Sequence, residues 1–122
     1  DRGTQLKDNV RDLHEAGIKE VNMRIACPPL TYPCNFLNFS RSRTSMELAT
    51  HKAVKELEGL ENADMKEYSD SKSEKYAAMV DKIREDLGLT TLNFQKMDDL
   101  VKAIGLPKEK LCTHCFDGSS HY

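Results

Sequence analysis

The chain holds 122 residues, with 18 Lys and Arg against 20 Asp and Glu, a formal charge of −2 at pH 7. That length suits one domain, the interspersed charge lacks the basic footprint of a nucleic-acid binder, and no apolar run approaches the ~20 residues of a membrane span. Asp1 stands where an initiator Met would, with no charged-then-apolar leader behind it, so the sequence reads as part of something longer or as a processed product.

In chain order, Leu6, Val10 and Leu13 form the stripe of an amphipathic helix over 5–16, and Gly17 caps it. From Glu20 the period changes: Val21, Met23 and Ile25 alternate with Asn22 and Arg24 as in a strand, which Pro28 and Pro29 end. The irregular stretch Leu30 to Arg43 carries Tyr32, Cys34, Phe36 and Phe39, and such an apolar loop is expected to pack down. Thr44 and Glu47 stand in the capping-box arrangement ahead of Met46, Ala49, Ala53, Val54, Leu57 and Leu60, a second helix ending near Gly59. Residues 61–73 are acidic, serine-rich and nearly free of aliphatics, and are expected to be an exposed insertion or linker. Tyr76, Met79, Val80, Ile83 and Leu87 restore the helical stripe up to Gly88. Residues 90–94 read as a short strand, and Met97, Leu100, Val101 and Ile104 as a last helix before Gly105 and Pro107. The tail from Cys112 reads as loop. Two strands are few for a parallel α/β domain, so the sheet is expected to be truncated, and its open edge at residues 21–26 to invite self-association into a homo-oligomer.

Two features carry chemistry. Arg2, Gly3, Thr4 and Gln5 precede or open the first helix, where free amides and the helix dipole suit a phosphate, although an ordinary N-cap has the same look. The cysteines stand at 27, 34, 112 and 115, and Cys112-Thr113-His114-Cys115 is a C-x2-C knuckle. Without a secretory signal, reduced thiols holding a metal are favoured over disulfides. Such a knuckle suits chelation of one metal. A redox pair is disfavoured because the knuckle reads as loop, with no helix N-terminus to lower a thiol pKa. His14, His51 and His121 read as solvated and His114 as exposed.

The ordered string Arg2-Gly3-Thr4-Gln5, Glu15-Ala16-Gly17, Arg24-Ile25-Ala26-Cys27-Pro28-Pro29, Tyr32-Pro33-Cys34, Met46 to Ala49, Leu87-Gly88, Leu100 to Gly105 and Cys112-Thr113-His114-Cys115-Phe116-Asp117-Gly118 resembles the glutamine amidophosphoribosyltransferases. The resemblance covers most of the chain, with the stretch from about 60 to 73 looking like an insertion. It implies the C-terminal part of a type I phosphoribosyltransferase-like α/β fold, a truncated parallel sheet with flanking helices. It further implies that the parent enzyme converts phosphoribosyl pyrophosphate and glutamine-derived ammonia, with Mg, to phosphoribosylamine at the start of purine biosynthesis, in the cytoplasm. Arg2, Gly3, Thr4 and Gln5 match the loop that wraps the donor's 5′-phosphate. The family's paired acids lie upstream of that loop, and Asp1 is not assigned their role. The glutaminase domain and its cysteine nucleophile have no counterpart here, so no catalytic residue is expected within the chain, which alone should be inactive. Cys34, Cys112 and Cys115 match three of four ligands to the four-iron four-sulfur cluster that some members hold. Cys27, where relatives carry a small residue, is a core thiol or a substitute ligand. The alternative reading is a zinc-stabilised cysteine-rich binding module without enzymatic activity.

Overall fold

A computed structural model describes residues 4–34, 36, 49–59 and 64–119. The elements are α1 (Thr4–Glu15), β1 (Asn22–Ile25), α2 (Ala49–Glu58), α3 (Glu74–Leu87), β2 (Thr91–Phe94), α4 (Met97–Ile104) and α5 (His114–Asp117), with 3-10 turns at Glu67–Ser69 and Lys108–Lys110. The Thr44–Glu47 capping box and Phe39 lie outside the described residues. The two strands pair in parallel, with Asn22 beside Thr91, Met23 beside Leu92, Arg24 beside Asn93 and Ile25 beside Phe94. The α/β class and the small parallel sheet thus agree with the sequence reading, as does the helix, strand, helix order.

Period-two alternation sorts the sheet into two faces. Leu92 is buried and Met23, Ile25 and Phe94 pack against the core, while Asn22, Arg24, Thr91 and Asn93 face outward. The buried face meets α3, whose Met79, Ile83 and Leu87 stand on one stripe. Val10 from α1, Ala53 and Val54 from α2, and Leu89 and Leu92 complete the core around that helix. The ends of α3 are set locally. Ser73 accepts the Tyr76 N–H at its start, and Gly88, at φ +74, closes it with a left-handed cap. His14 connects this end to the first helix, one ring nitrogen lying 3.0 Å from the Ile18 carbonyl and the other 2.8 Å from that of Gly88. The ring is exposed as expected, but it ties two elements. The helix α4 closes on Gly105, at φ +81, yet has no buried residue, and its Ile104 is 49% exposed.

Residues 64–73 divide in a way that composition does not disclose. The charged side chains and Ser71 face solvent, but Met65 is 4% and Tyr68 2% exposed, so both belong to the core. Two large apolar bodies suffice to anchor a segment whose average looks disordered. The Tyr68 hydroxyl donates to Glu58 Oε1 at 2.7 Å. Lys75 Nζ lies 3.3 Å from the same carboxylate, 3.2 Å from Glu67 and 5.6 Å from the Tyr68 ring centre. The apolar loop before α2 also divides: Tyr32 packs against the core while Phe36 is 63% exposed.

Burial, followed by the hydrogen bond and negative charge of Glu58, pushes the Tyr68 hydroxyl up to about 12. A folded pKa above the ordinary tyrosine value of ~10 gives stability that is complete below that value and lost as pH rises toward the folded one. Urea unfolding between pH 9 and pH 12 should therefore show a stability decline that Tyr68→Phe makes shallower; equal slopes in both proteins would refute the assignment.

Candidate functional site

The two chemical features fall at related places because of the parallel pairing. Helix α1 packs on α3, and its Leu6 lies around one cavity with Ile25 and Phe94, so the start of α1 and the carboxyl ends of both strands share one end of the fold. A cavity of about 180 Å³ between Leu6, Ile25, Cys27, Pro28, Leu87 and Phe94 records this meeting. It is apolar and too small for a phosphorylated sugar, since ligand pockets run to ~300–1,000 Å³. Arg2 and Gly3 lie outside the described residues. Thr4 and Gln5 are the first two residues of α1, where backbone N–H groups have no partner within the helix, and the first turn carries no acidic residue to compete for them.

No disulfide joins the four cysteines, of which Cys27, Cys34 and Cys115 are half-buried and Cys112 is exposed. The structure brings them into one electrostatic neighbourhood. Burial pushes the Cys115 thiol up to about 11, Cys34 adds to that rise, and Cys112 and Cys27 contribute less. Burial alone raises Cys27. The knuckle is not pure loop: Cys115 lies in α5, a single helical turn that Gly118 closes. Helix position does not activate this thiol, because burial outweighs it. The buried, raised Cys115 thiol lends no support to a redox pair, although the knuckle is not the loop expected from the sequence. Among the described residues, no three His, Cys, Asp or Glu side chains are placed to hold one metal ion. That finding gives the zinc-stabilised module no support, and it leaves a cluster held by Cys34, Cys112 and Cys115 equally unshown. The donor set is right in kind for a cluster, which takes soft thiolates and gives each iron its own.

What joins the Cys34 loop to the Cys112–Cys115 segment is Thr31, 1% exposed. Its N–H donates to the Cys115 carbonyl at 2.9 Å, and the Tyr32 N–H reaches the same oxygen at 3.1 Å. The Thr31 hydroxyl donates to the Phe116 carbonyl at 2.7 Å and lies 3.0 Å from the Ser69 hydroxyl. His51 Nε2–H donates to the Thr31 carbonyl at 2.6 Å, and the neighbouring Thr50 hydroxyl donates to the Leu30 carbonyl. His51 is therefore a half-buried brace, not a solvated helix residue. Beside Thr31, the Tyr32 ring lies 5.9 Å from that of His114 and against Gly118. His114 is half-buried, its Nδ1 3.0 Å from the Ser119 carbonyl. Within the knuckle, Thr113 donates to Asp117 at 3.0 Å. Burial pushes the Asp117 carboxyl up, but hydrogen bonds from Ser119, Thr113 and Lys108 outweigh it and hold the group below the usual carboxylate value. Sequence reading missed Thr31, Tyr32 and His51 as site supports; the adjacency of Tyr32 to Pro33-Cys34 was the one available sign.

No family model matches the chain, and no solved structure does. Curated sequences do match. An amidophosphoribosyltransferase of Methanothermobacter thermautotrophicus is 29% identical over 117 residues, which is 96% of this chain and 19% of that protein. One from Mycobacterium tuberculosis is 31% identical over 118 residues, 96% of this chain and 18% of that protein. The chain is similar to one part of the amidophosphoribosyltransferases. A chloroplastic member from Arabidopsis thaliana is 30% identical over 117 residues, again 96% of this chain but 16% of that protein. The chain thus spans less than a fifth of the length of these amidophosphoribosyltransferases. Among the described residues no helix is long and apolar enough to cross a membrane.

Gly118 sits at φ +75, and a Cβ there would stand 2.8 Å from Tyr32 Cζ and 2.9 Å from Cε2. Gly118→Ala meets both backbone strain and overlap, and should cost about 1–3 kcal/mol by denaturant unfolding. Tyr32→Leu in the same chain should recover part of that loss; strict additivity of the two changes would show that the ring is not the obstacle.

Proposed function

We propose that this chain is the C-terminal part of the phosphoribosyltransferase domain of a cytoplasmic amidophosphoribosyltransferase, with 61–73 an insertion in it. The observation that carries this reading is the match to that family along 96% of the chain. The α/β order and the gathering of the cysteines support it. In the complete enzyme, ammonia released from glutamine attacks the anomeric carbon of phosphoribosyl pyrophosphate. The bond from that carbon to the pyrophosphate oxygen breaks, and nitrogen gives up a proton, leaving phosphoribosylamine and pyrophosphate. Mg bound with the donor would stabilise charge on the leaving pyrophosphate, and the protein would exclude water.

Arg2, Gly3, Thr4 and Gln5 take the donor's 5′-phosphate. The two residues that open α1 offer amide donors at the positive end of its dipole, and Arg2 adds a charge-assisted pair. No carboxylate or nucleophile within the chain performs the chemistry, so the chain alone is a binding half-site without turnover. The full enzyme is a homo-oligomer. Arg2→Ala in the complete polypeptide should weaken donor binding by ~1.5–3 kcal/mol, roughly ten- to a hundredfold in KM with little change in glutamine hydrolysis. An unaltered KM would remove the phosphate role from this loop, and turnover by the isolated chain would refute the half-site reading.

Cys34, Cys112 and Cys115 hold a four-iron four-sulfur cluster whose fourth ligand lies elsewhere in the enzyme. Such a cluster supplies a structural cross-link between segments far apart in sequence. Anaerobically prepared enzyme should be brown, with iron and acid-labile sulfide in equal amounts, and Cys115→Ser should lose both. Zinc in their place, or no metal, would overturn the assignment.

A further inference from the structure

Thr31 belongs to none of the sequence motifs as a functional residue, yet its surroundings are those of a junction. A residue 1% exposed makes four side-chain or backbone contacts to three separate segments: Cys115 and Phe116 in α5, Ser69 in the 3-10 turn, and His51 in α2. A buried threonine in a loop ordinarily satisfies its hydroxyl with one nearby acceptor. Here the hydroxyl and the amide of one residue both reach the chain at Cys115 and Phe116, from 84 and 85 residues away in sequence, and no buried side-chain polar atom among the described residues is left unpartnered.

We propose that Thr31 is a positioning residue for the cysteine site. It fixes the segment of Cys34, three residues further on, against that of Cys112 and Cys115, and His51 and Ser69 hold it from behind. The consequence concerns thiol geometry, not overall folding. The core is built on α3 from residues other than Thr31, whereas the register of the Cys34 loop on α5 depends on the Thr31 amide and hydroxyl and the Tyr32 amide. Loss of the hydroxyl leaves the Phe116 carbonyl and Ser69 without that partner and loosens the loop locally. The assignment rests on the cysteines acting together, as in the cluster reading, but its first test does not require a cluster.

The test compares the 122-residue chain with Thr31→Val, Thr31→Ser and His51→Ala. Each metal-free, reduced protein is treated with iodoacetamide at fixed pH, and the modification rate at each cysteine is followed by peptide mass spectrometry alongside far-ultraviolet circular dichroism. Thr31→Val keeps the shape and removes the hydroxyl; it should speed modification of Cys115 by about tenfold, the scale of one lost buried hydrogen bond, with the helical signal unchanged. Thr31→Ser should restore the slow rate, and His51→Ala should produce a smaller acceleration in the same direction. Should Thr31→Val fail to fold, His51→Ala and Thr31→Ser decide: an unchanged Cys115 rate in His51→Ala overturns the proposal. Equal acceleration at all four cysteines also overturns it, since that marks general loosening. In a second arm, iron and sulfide are loaded anaerobically into the complete enzyme. Thr31→Val should then give a cluster with an altered spectrum that oxygen bleaches several times faster, and Thr31→Ser a cluster like the original. A wild-type enzyme that takes up no iron defeats the cluster reading but leaves the thiol arm to judge Thr31, whereas a loaded enzyme indifferent to Thr31→Val defeats the positioning role alone.

Discussion

Parallel pairing of β1 with β2 is the constraint on which the rest of the arrangement depends. Two parallel strands cannot be joined by a tight turn, so the chain must travel from the carboxyl end of one to the amino end of the other. Here that journey contains α2, the 64–73 segment and α3, and α3 returns across the buried sheet face. The same geometry sends both strand ends in one direction. The loop after β1, with Cys27, Thr31 and Cys34, and the chain after β2, which ends in the Cys112–Cys115 knuckle, therefore leave the sheet on the same side. Ligands of open α/β sheets gather outside the carboxyl ends of strands for this reason. The start of α1 joins them, its Leu6 lining a cavity with Ile25 and Phe94 at the strand ends.

Proximity at one end does not fix distances between side chains. The join at Thr31 and Tyr32 does so by backbone hydrogen bonds to a single carbonyl, that of Cys115, which leaves little freedom in how the two segments slide. Each such bond contributes only about 1 kcal/mol net, but a buried hydroxyl without its acceptor costs ~1–3 kcal/mol. Any slippage that separated Thr31 from Phe116 would incur that penalty, so specificity of placement exceeds what the bonds add to stability. The close approach of Gly118 to the Tyr32 ring acts in the same sense through sterics: a Cβ at that point would overlap the ring.

Periodicity disclosed the elements well because their burial follows one stripe per helix and one face per strand. The stripe Met79, Ile83 and Leu87 and the alternation of β1 needed only the 3.6 and 2.0 periods to be read. The anchoring of 64–73 was hidden, since Met65 and Tyr68 are two residues among many polar ones, and averaging over a window erases two buried side chains. At the site, the identity of the cysteines was legible and their setting was not. Nothing local distinguishes Thr31 from a solvated loop threonine, because its partners Ser69, Cys115 and Phe116 lie 38 to 85 positions away. Long-range hydrogen bonds leave no period in a sequence. The one-turn helix α5 escaped for a similar reason, being too short to show any stripe.

The exposed sheet face is also written into the strands. Parallel sheets are ordinarily covered on both sides and read as continuous apolar runs. Here Asn22, Arg24, Thr91 and Asn93 occupy alternate positions, and the Thr91 hydroxyl donates to the Asn22 side chain at 2.8 Å across the two strands. A helix laid on that face would have to bury an arginine and two amides with no apolar surface to compensate. The polar alternation therefore disfavours a second packed layer on the outer face, and among the described residues α3 and its neighbours form the hydrophobic layer on this sheet. Among the described residues, β1 and β2 depend on α3 for stability more than on their own ladder, since a two-stranded pair is marginal without such packing. The cysteine end inherits that dependence, because the loops that carry it begin where the strands stop.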